Sequence, residues 1–589
     1  MQTAHFDSNA LTDDGWQATL SDLVSVHVAT RLDEVESVID RADCAAHDGY
    51  WAAVAVTYEA AAAFEPALAP PRAVVPGLPL AWVAIFARGT NPTRPTGSSD
   101  EPASRTPPSF TPTVSRSQFT ARVRDAGVHI LAGDTYQVNL TFPMRADAAP
   151  DPGHWYDGLR AAQQARYCAY LDLGRQIVLS LSPELFFARR GQRVTARPMK
   201  GTIRRGRWLA EDEALARELV TSPKARAENV MIADLLRNDI GRVAITGSVC
   251  VPALCTTERY PTLWQLTSTV EGEVPASTTL VDLFRALFPC GSVTGAPKIR
   301  TMEIIATLEG APRGMYTGTI GIVRPGGDCT FNVAIRTLVI DRDTGATTMG
   351  VGAGITADSL PDAEYDESLL KGAFAAGSTA AIADVGPFSL LETMRLDEGR
   401  LCRLDRHLDR AAAAARFFGI DWNIARVRAA CDAAAQEHTE GTWRTRLLID
   451  RNGRATVDCT PYTPDRQPRL VTFAATPIDD RDLFLFNKTT RRSQYEVARH
   501  ARPDVEDVLL WNARGEVTES TIANVVVEID GDRWTPPVAS GLLAGVFRGE
   551  LLRTGSVRER VLTRAAVARA TRVWLVNSLR EWMDVVLVR

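Results

Sequence analysis

The sequence predicts a mixed α/β protein made of several folding units, and three observations lead to this expectation. The chain has 589 residues, which allows roughly four domains at about 150 residues each. Its composition, 45% hydrophobic and 23% charged, is that of an ordinary globular protein. Strand-like runs such as QIVLSLS alternate with helix-like runs such as AEDEALARELV. The predicted class is therefore α/β, or α+β, with large cores.

Charge and cysteine usage exclude several classes of protein. The net charge is −5, so neither nucleic acid nor an anionic membrane is expected as the main partner. The nine cysteines include no C-x-x-C pair, which predicts a reducing compartment and no structural zinc site. The first residues, MQTAHFDSNALTDDGW, lack the apolar core of a signal peptide, and runs such as LPLAWVAIFA are too short to span a bilayer. We therefore expect a cytoplasmic protein.

The first part of the chain divides at two linker-like segments. Residues 1–92 form a small α/β segment in which AAVAVTYEAAAAF predicts a strand leading into a helix. Residues 93–116, rich in Pro, Ser and Thr, predict a linker. Residues 117–376 then form an ordered domain, with TYQVNLTF as a half-buried strand, GTIGIV as another and RAENVMIADLLRN as a helix. A Gly/Ala-rich second linker covers 377–387.

Residues 388–589 make the last predicted domain. FSLLETMRL predicts a strand, and LCRLDRHLDRAAAAARFFG predicts a helix whose apolar stripe is Leu401, Leu404, Leu408, Ala411 and Ala415. His407 and Arg410 lie on the helix face opposite the leucines. Further strands are expected at RTRLLID, DVLLW, NVVVEI and RVWLV.

Lysine is scarce, and this singles out candidate catalytic residues. Only five of 66 basic residues are lysine: Lys200, Lys224, Lys298, Lys371 and Lys488. Arginine stays protonated, whereas a buried lysine can lose its proton and act as a nucleophile or Schiff-base amine. Lys200, in RPMKGTIRRG, and Lys488, in LFLFNKTTRR, are therefore candidates. The alternative for Lys488 is a surface lysine whose stem lies on apolar residues.

Carboxylates and glycine-rich turns accompany Lys200. Glu184 follows a predicted strand, and the turns CGSVTGAPK and GVGAG let backbone N–H groups approach an anionic ligand. Arg336 could grip a carboxylate with two hydrogen bonds. Glu228, Glu364 and Glu367 lie on predicted helices. The alternatives are a solvated helix face at Glu228 and an exposed i, i+4 pair of Glu367 with Lys371.

This stretch resembles the chorismate-utilising enzymes, among them the chorismate-binding component of the aminodeoxychorismate synthases. The resemblance is carried, in order from residue 133 to 372, by GDTYQVNLT, SPELFF, RPMKGTIRRG, KARAENVMIADLLRNDIGRV, PCGSVTGAPKIRTMEII, GMYTGTIGIV, FNVAIRT and GVGAGITADSLPDAEYDESLLKG. It implies a fold of two packed β-sheets with outer helices. The text PMKGT has lysine where anthranilate synthases typically have alanine, which favours the aminodeoxychorismate synthases.

The resemblance implies roles for individual residues. Lys200 would attack C2 of chorismate while the C4 hydroxyl departs, and ammonia would then displace the lysine; Glu184 would transfer protons. Glu228 and Glu367 would hold Mg²⁺, and Glu364 would join them through water. Positions matching the chorismate site are Thr294, Lys298, Tyr316, Arg336, Gly352 and Lys371.

Two departures from the family pattern bear on this first reaction. Gln265 stands where relatives often carry histidine, and a glutamine can donate a hydrogen bond there but cannot carry a proton. No nucleophile motif of a glutamine amidotransferase occurs in the sequence. The resemblance therefore implies a separate glutamine amidotransferase subunit as partner, or free ammonia as substrate.

Residues 388–580 resemble the fold-type-IV pyridoxal-phosphate enzymes, closest of them the aminodeoxychorismate lyases. LETMR, RHLDRAAAAARFFGI, NKTTRRSQYEVAR, EVTESTIANV and TPPVASGLLAGVFR carry the resemblance, which implies a two-subdomain fold. Lys488 matches the Schiff-base lysine and Glu519 the acid paired with the pyridine nitrogen. The other matching cofactor positions are Arg410, Val546 and Phe547 for the phosphate, and Asn524 beside the ring. Arg446 and Thr393 are weaker substrate candidates, because the front of this domain is short.

Together the two resemblances imply two consecutive reactions. Chorismate would be aminated to 4-amino-4-deoxychorismate, and elimination of pyruvate would then give 4-aminobenzoate, a folate precursor. The alternatives are an anthranilate synthase, or a synthase that releases aminodeoxychorismate and carries a non-catalytic C-terminal dimerisation module. Because fold-type-IV enzymes commonly dimerise, a homodimer through this domain is also expected.

Overall fold

The computed structural model describes residues 4–8, 15–68, 74–90, 108–260, 262–376, 386–464 and 467–588. Its contacts group the chain into two units. The first unit is Met1–Arg204 with Ala216–Asp384, and the second is Arg205–Leu215 with Val385–Arg589. Residues 93–107 of the first predicted linker (93–116) and residues 377–385 of the second (377–387) lie outside the described residues.

The first 376 residues contain the strands and helices that the hydrophobic patterns predict. The strands are β1 (Ala4–Asp7), β2 (Ala18–Ala29), β3 (Trp51–Val56), β4 (Ala81–Thr90), β5 (Thr111–Pro112), β6 (Gln137–Ala146), β7 (Tyr167–Asp172), β8 (Gln176–Ser182), β9 (Leu185–Arg190), β10 (Arg193–Arg197), β11 (Met199–Arg204), β12 (Cys250–Arg259), β13 (Leu263–Glu273), β14 (Gly295–Ala296), β15 (Thr319–Val323), β16 (Cys329–Val333), β17 (Thr337–Asp341) and β18 (Thr347–Ile355). The helices are α1 (Leu32–His47), α2 (Ala61–Phe64), α3 (Arg116–Leu131), α4 (Pro152–Gln163), α5 (Leu209–Thr221), α6 (Pro223–Gly241), α7 (Leu280–Leu287), α8 (Lys298–Leu308) and α9 (Pro361–Gly372).

The strands of the first unit form one antiparallel ladder with two halves. One half runs β6–β18–β17–β8–β7–β1, with β5 and β14 beside β6. The other runs β2–β4–β3–β15–β16–β9–β10–β13, with β11 and β12 beside β13. The pairing of β1 with β2 joins the halves.

Three large apolar cores lie in this unit. One lies between the two halves of the ladder and contains Trp16, Trp82 and Tyr167. The other two lie under helices: α1, α6 and α7 cover one half, and α3, α4, α8 and α9 cover the other. Strand β3 shows the alternation, since Ala53 faces the inner core and Val54 the helical one. The predicted fold of two packed sheets with outer helices is confirmed.

Strand β6 differs from its prediction. The run TYQVNLTF was expected to be half-buried, with its polar residues in solvent. Instead Gln137, Asn139 and Thr141 are 1%, 8% and 5% exposed. The expectation is wrong because a polar strand face can also be buried when it lines a site.

The second unit has two sheets, each with its own helices. Its strands are β19 (Leu390–Asp397), β20 (Arg400–Leu401), β21 (Thr442–Ile449), β22 (Ala455–Pro461), β23 (Arg469–Phe473), β24 (Asp507–Trp511), β25 (Val517–Ser520), β26 (Asn524–Ile529), β27 (Asp532–Thr535), β28 (Arg558–Glu559), β29 (Arg572–Asn577) and β30 (Glu581–Leu587). Its helices are α10 (Leu404–Phe418), α11 (Ile424–Glu437), α12 (Ser493–His500), α13 (Val546–Arg553) and α14 (Arg564–Ala568).

These elements form two subdomains, as the resemblance implied. The sheet β20–β19–β21–β22 packs against α10 and α11 around Leu408, Val427 and Leu447. The sheet β25–β24–β23–β30–β29–β26–β27–β28 is mixed, because β23 runs parallel to both β24 and β30. Within the described ranges, every helix is too short or too polar to cross a membrane.

A short segment from early in the sequence belongs to the second unit. Residues 205–215 follow β11 directly, yet they group with residues 385–589. The indole of Trp208 stacks on Phe486 with ring centroids 5.1 Å apart. The Asn487 amide nitrogen donates to the Arg207 carbonyl oxygen at 3.0 Å. No pattern in the sequence indicated this excursion.

Candidate functional sites

Lys200 lies on β11 among charged groups from helices α6 and α9 and from the turn between β8 and β9. Burial lowers the pKa of Lys200, and the charge of Lys371 lowers it further. The carboxylates of Glu184, Glu228 and Glu367 act in the opposite direction. A group under these influences gives up its proton more readily than a free lysine, whose pKa is about 10.4. The site thus favours a nucleophilic amine at this position.

Glu184 is the buried acid of the same site. It follows β8, and only 3% of the residue is exposed. Burial raises the pKa of Glu184 to about 7, against the opposing effects of a hydrogen bond from Ser292 and the charge of Lys200. Its Oε1 atom is buried without a hydrogen-bond partner among the described residues. A carboxyl group that titrates near neutral pH can both donate and accept protons.

The three predicted metal ligands lie on two helices. Glu228 is half-buried on α6, Glu364 is half-buried on α9, and Glu367 is exposed on α9. Burial and the nearby Glu367 charge raise the pKa of Glu364, against a hydrogen bond from Ser359. The Lys371 ammonium lies 2.8 Å from the Glu367 carboxylate. This contact is the i, i+4 pair that the sequence offered as the alternative to a metal ligand at Glu367. No group of three or more candidate metal ligands occurs in the described part of the chain.

Two glycines of β18 lie in the predicted chorismate pocket, Gly350 and Gly352. Lys371 Nζ donates to the Gly352 carbonyl oxygen at 3.0 Å. A Cβ on Gly352 would lie 2.4 Å from the Leu140 carbonyl oxygen, and one on Gly350 would lie 2.1 Å from the Tyr316 ring. Glycine is therefore required at both positions.

The other predicted substrate residues have partners in the protein. Arg336 has a positive φ of 48° and donates to the Gln163 side chain at 3.1 Å. The Thr294 hydroxyl is buried and donates to the carbonyl oxygens of its own turn, at Cys290 and Gly291. Lys298 Nζ lies 2.5 Å from the buried Asp239 carboxylate and donates to the Leu287 carbonyl oxygen at 2.9 Å.

Gln265, which replaces the family's histidine, lies on β13 opposite β11. Its side-chain oxygen accepts a hydrogen bond from the Thr202 hydroxyl at 3.0 Å. Thr202 is two residues from Lys200 on β11. The glutamine is thus a hydrogen-bonding group near the site, and it offers no titratable proton there.

In the second unit, Lys488 lies between Leu485 and the start of α12. Burial lowers the pKa of Lys488 to about 8, and the positive charges of Arg410 and Arg492 add to this effect. The negative charges of Glu392 and Glu519 oppose it. The amine is enclosed by other charged groups, so the alternative of a surface lysine does not describe it.

Glu519 lies on β25 in a buried hydrogen-bond network and is 4% exposed. Its Oε1 accepts from the Tyr495 hydroxyl at 2.7 Å and from the Leu543 N–H at 3.0 Å, and its Oε2 accepts from the Asn524 amide at 3.0 Å. Burial raises the pKa of Glu519 to about 7, although the hydrogen bonds from Tyr495 and Leu543 act to lower it. A buried carboxyl of this kind suits a partner that carries a proton, such as a pyridinium nitrogen.

Arg410 lies at the turn that opens α13. Its Nη1 donates to the Ala544 carbonyl oxygen at 3.2 Å, immediately before Gly545 and the buried first residues of the helix, Val546 and Phe547. A Cβ on Gly545 would lie 2.0 Å from the Asn524 side-chain oxygen. The backbone N–H groups at a helix start and an arginine together suit a phosphate.

Sequence reasoning missed the residue that holds Arg410. Glu392 accepts from Arg410 Nε at 2.9 Å, from Arg410 Nη2 at 2.5 Å and from His407 Nδ1 at 2.6 Å. Glu392 and His407 are 2% and 1% exposed. The helix face opposite the leucines is therefore buried as well. The signal available in the sequence was a glutamate within the apolar strand FSLLETMRL.

The residues of the second site fit pyridoxal phosphate. They include an amine with a lowered pKa, a buried acid fixed by three hydrogen bonds, and an arginine beside a helix start. This is the donor set that such a cofactor requires. In the first site, Glu228 and Glu367 both act on Lys200, and Mg²⁺ is commonly held by one or two carboxylates plus water and substrate oxygens.

Comparison with known families matches both parts of the chain. The model for chorismate binding enzyme matches residues 14–377. The model for amino-transferase class IV matches residues 389–588. The second match carries an implied pyridoxal-phosphate cofactor, which agrees with the residues around Lys488.

Two curated relatives each match a little under half of this chain. Aminodeoxychorismate synthase component 1 of Bacillus subtilis (strain 168) is 41% identical over 277 residues, which are 47% of this chain and 58% of that protein. Anthranilate synthase component 1 1 of Haloarcula marismortui is 41% identical over 273 residues, which are 46% of this chain and 55% of that protein. The chain thus spans little more than half the length of these curated relatives.

A solved structure agrees with the fold of the first unit. Anthranilate synthase component I from Streptococcus pneumoniae TIGR4 superposes with a TM-score of 0.53 at 25% identity. The match covers 63% of this chain and 92% of that one. Because relatives with two different names match equally well, overall similarity does not separate the two reactions.

Proposed function

This chain belongs to the family of chorismate binding enzymes, and we propose from that premise that its first unit aminates chorismate. The product would be 4-amino-4-deoxychorismate, which the second unit would convert to 4-aminobenzoate and pyruvate. The observation that carries the proposal is Lys200, a lysine with a lowered pKa beside a carboxyl that titrates near 7. An enzyme that adds ammonia directly would not need a nucleophilic amine there.

The first reaction balances with the groups present. Lys200 Nζ attacks C2 of chorismate as a neutral amine, the ring double bonds shift, and the C4 hydroxyl departs as water with a proton from Glu184. Ammonia then adds at C4, and Lys200 leaves with its electron pair while Glu184 recovers a proton. The net change is replacement of a hydroxyl by an amine.

Magnesium and ammonia complete the proposal for the first unit. Mg²⁺ held by Glu228 and Glu367, with Glu364 through water, would neutralise a carboxylate of the substrate. Ammonia would come from a separate glutamine amidotransferase subunit, as the component names of the relatives imply. Free ammonium at high concentration would replace that partner in an assay.

In the second unit, the residues around Lys488 bind and orient the substrate's reacting carbon. Pyridoxal phosphate, when bound, supplies an electron sink for the carbon that loses its proton. Lys488 Nζ, with a pKa of about 8, would take that proton. Glu519 would keep the pyridine nitrogen protonated, while Arg410 and the N–H groups of Val546 and Phe547 would hold the phosphate.

The direct test is to identify the products. The purified chain would be incubated with chorismate, Mg²⁺, ammonium and pyridoxal phosphate, and the mixture analysed by mass spectrometry. We expect 4-aminobenzoate and pyruvate in equal amounts. Lys488→Ala should stop at aminodeoxychorismate, and Lys200→Ala should leave chorismate unchanged.

Other products would refute one half or the other. Anthranilate would refute the role of Lys200 and favour the anthranilate synthase alternative. Aminodeoxychorismate alone from the unaltered chain would leave the first half standing and make the second a non-catalytic module.

A further inference from the structure

Lys488 lies in a loop, and its neighbours on both sides are held by other parts of the second unit. On the C-terminal side, the Lys488 carbonyl oxygen accepts from the Leu391 N–H at 2.9 Å, and Thr489 forms a β-bridge with Leu390. Strand β19 therefore fixes the backbone from the lysine onward. A reactive side chain on a loop needs such fixed neighbours, because a small displacement moves it away from its partners.

On the N-terminal side, the neighbour of the lysine is held by residues 205–208, the turn that joins β11 to α5. Asn487 directly precedes Lys488 and is 5% exposed. Its side-chain nitrogen donates to the Arg207 carbonyl oxygen at 3.0 Å and to the Leu483 carbonyl oxygen at 2.9 Å. The Asn487 amide thus connects the loop of the lysine to a backbone atom that comes 280 positions earlier in the sequence.

An aromatic contact joins the 205–208 turn to the same loop. Trp208 stacks on Phe486 with ring centroids 5.1 Å apart and an angle of 19° between the ring planes. The Arg207 guanidinium carbon lies 4.7 Å from the Phe486 ring centroid and 5.1 Å from that of Trp208. Trp208 packs on an apolar core that also contains Tyr495, the residue that donates to Glu519. Contacts of both kinds stabilise one orientation of the rings.

The 205–208 turn is itself fixed to the first turn of α5. The Arg205 guanidinium donates to both oxygens of the buried Asp212 carboxylate, each at 2.7 Å. The Gly206 N–H donates to the same carboxylate at 2.8 Å, and a Cβ on Gly206 would lie 2.2 Å from the Asp212 backbone nitrogen. The Arg207 N–H donates to the Glu211 carboxylate at 2.6 Å. The Arg207 carbonyl oxygen and the Trp208 ring therefore start from a fixed backbone.

We infer that the 205–208 turn is a positioning element for the reactive lysine of the second unit. Trp208 acts through the Phe486 ring. The Arg207 carbonyl oxygen acts through the Asn487 amide. Together these two contacts keep the Lys488 amine enclosed in its site. The inference rests on the function proposed above for the second unit and adds residues to it.

The residues of this turn do not come from the family region that carries the second site. The amino-transferase class IV model matches residues 389–588, and the 205–208 turn lies within residues 14–377, which match the chorismate binding model. The second reaction would therefore depend on side chains encoded in the first family's part of the chain.

The enclosed amine offers a direct measure of its surroundings. Burial lowers the pKa of Lys488 to about 8. The charged and titratable groups that face this amine are Arg410, Arg492, Glu392, Glu519 and His407. If the support of the 205–208 turn is lost, water reaches the amine, and the pKa of Lys488 rises toward the value of a free lysine, about 10.4.

Amine labelling of the cofactor-free full chain measures this effect without any turnover. Because the chain has only five lysines, limiting acetic anhydride followed by peptide mass spectrometry gives the reactivity of each lysine at each pH. Half-maximal reactivity of Lys488 is expected at a pH of about 8 in the unaltered chain. Trp208→Ala should move this midpoint to about 9 or higher. Asn487→Ala should move it in the same direction, and Trp208→Phe, which keeps a ring against Phe486, should restore it.

The matched control is Trp511→Ala. Trp511 packs on the same apolar core as Trp208, and its indole N–H donates to the Ala474 carbonyl oxygen at 2.8 Å. Its removal should lower the melting temperature much as Trp208→Ala does. The Lys488 midpoint should nevertheless stay at about 8, because the contacts of Phe486 and Asn487 with the 205–208 turn remain.

The outcomes separate positioning from general loosening and from the reaction itself. Midpoints at about 8 in both Trp208→Ala and Asn487→Ala would overturn the inference. An equal rise in Trp208→Ala and in the Trp511→Ala control would also overturn it, since it would show only a loosened unit. If the unaltered chain forms no 4-aminobenzoate from added aminodeoxychorismate, the proposed reaction falls, and the labelling result still decides whether the turn positions Lys488.

Discussion

Replacing Glu392 with glutamine should destabilise the second unit strongly and in a pH-dependent way. Burial acts to raise the pKa of Glu392, but the charge of Arg410 and the hydrogen bond from His407 outweigh it and lower the pKa to about 2. A shift of this size corresponds to about 3 kcal/mol of stability at neutral pH. Glutamine keeps the shape of the side chain and removes the charge, so most of this contribution should be lost.

The pH dependence follows from the direction of the shift. Because the folded-state pKa is lowered, the contribution is present above the ordinary pKa of about 4.5 and is lost as the pH falls toward 2. The difference between the unaltered chain and Glu392→Gln should thus be about 3 kcal/mol at pH 7 and about 2 kcal/mol at pH 3.5. At neutral pH this is about 6–12 °C in the melting temperature of a domain of this size.

Scanning calorimetry of the cofactor-free chain is the measurement, since a bound ligand would add its own stabilisation. The matched control is Glu516→Gln. The pKa of Glu516 is also lowered to about 2 by hydrogen bonds from Arg514, but that arginine is 52% exposed. Solvent screens such a pair, so the control should cost less than about 1 kcal/mol. A Glu392→Gln effect no larger than the control's, or one independent of pH between 7 and 3.5, would refute the reasoning.

Three further outcomes are expected. Lys200→Arg should abolish chorismate consumption in a chromatographic assay as fully as Lys200→Ala, because arginine keeps its proton; measurable turnover by Lys200→Arg would contradict a nucleophilic role. The rate at which the apo chain takes up pyridoxal phosphate, followed by visible absorbance, should rise with pH through about 8 as Lys488 becomes neutral; a rise centred near 10 would show an unperturbed lysine. Gly350→Ala should lower kcat/KM for chorismate, since its Cβ would lie 2.1 Å from the Tyr316 ring; turnover of added aminodeoxychorismate should stay normal.

The local hydrophobic pattern was sufficient to predict the helices and strands that have a clear periodicity. The helix predicted at RAENVMIADLLRN is part of α6, and the run LCRLDRHLDRAAAAARFFG contains α10. QIVLSLS is β8 over all seven residues. These predictions worked because the burial of a stripe or face depends on nearest neighbours in sequence. The scarcity of lysine likewise directed attention to Lys200 and Lys488, both of which have lowered pKa values.

A local sequence pattern could not show which residues from distant parts of the sequence contact each other. The alternation of TYQVNLTF predicted the strand but placed its polar face in solvent. An alternating pattern of polar and apolar residues does not show whether other parts of the protein cover the polar face. Glu392 could be recognised only once strand β19 and helix α10 were brought together. Lys298 forms an ion pair with Asp239, which lies 59 positions earlier in the sequence, and no sequence pattern indicated this pair.

The excursion of residues 205–215 has a consequence for how the chain acquires its structure. A ribosome delivers this segment some 170 positions before the rest of the second unit begins, which is roughly 10–30 s at about 5–20 residues per second. During that interval Trp208 has no Phe486 to stack against. The second unit therefore cannot be completed as an independent C-terminal body, and a cut within residues 377–387 would yield a fragment that lacks part of its own fold.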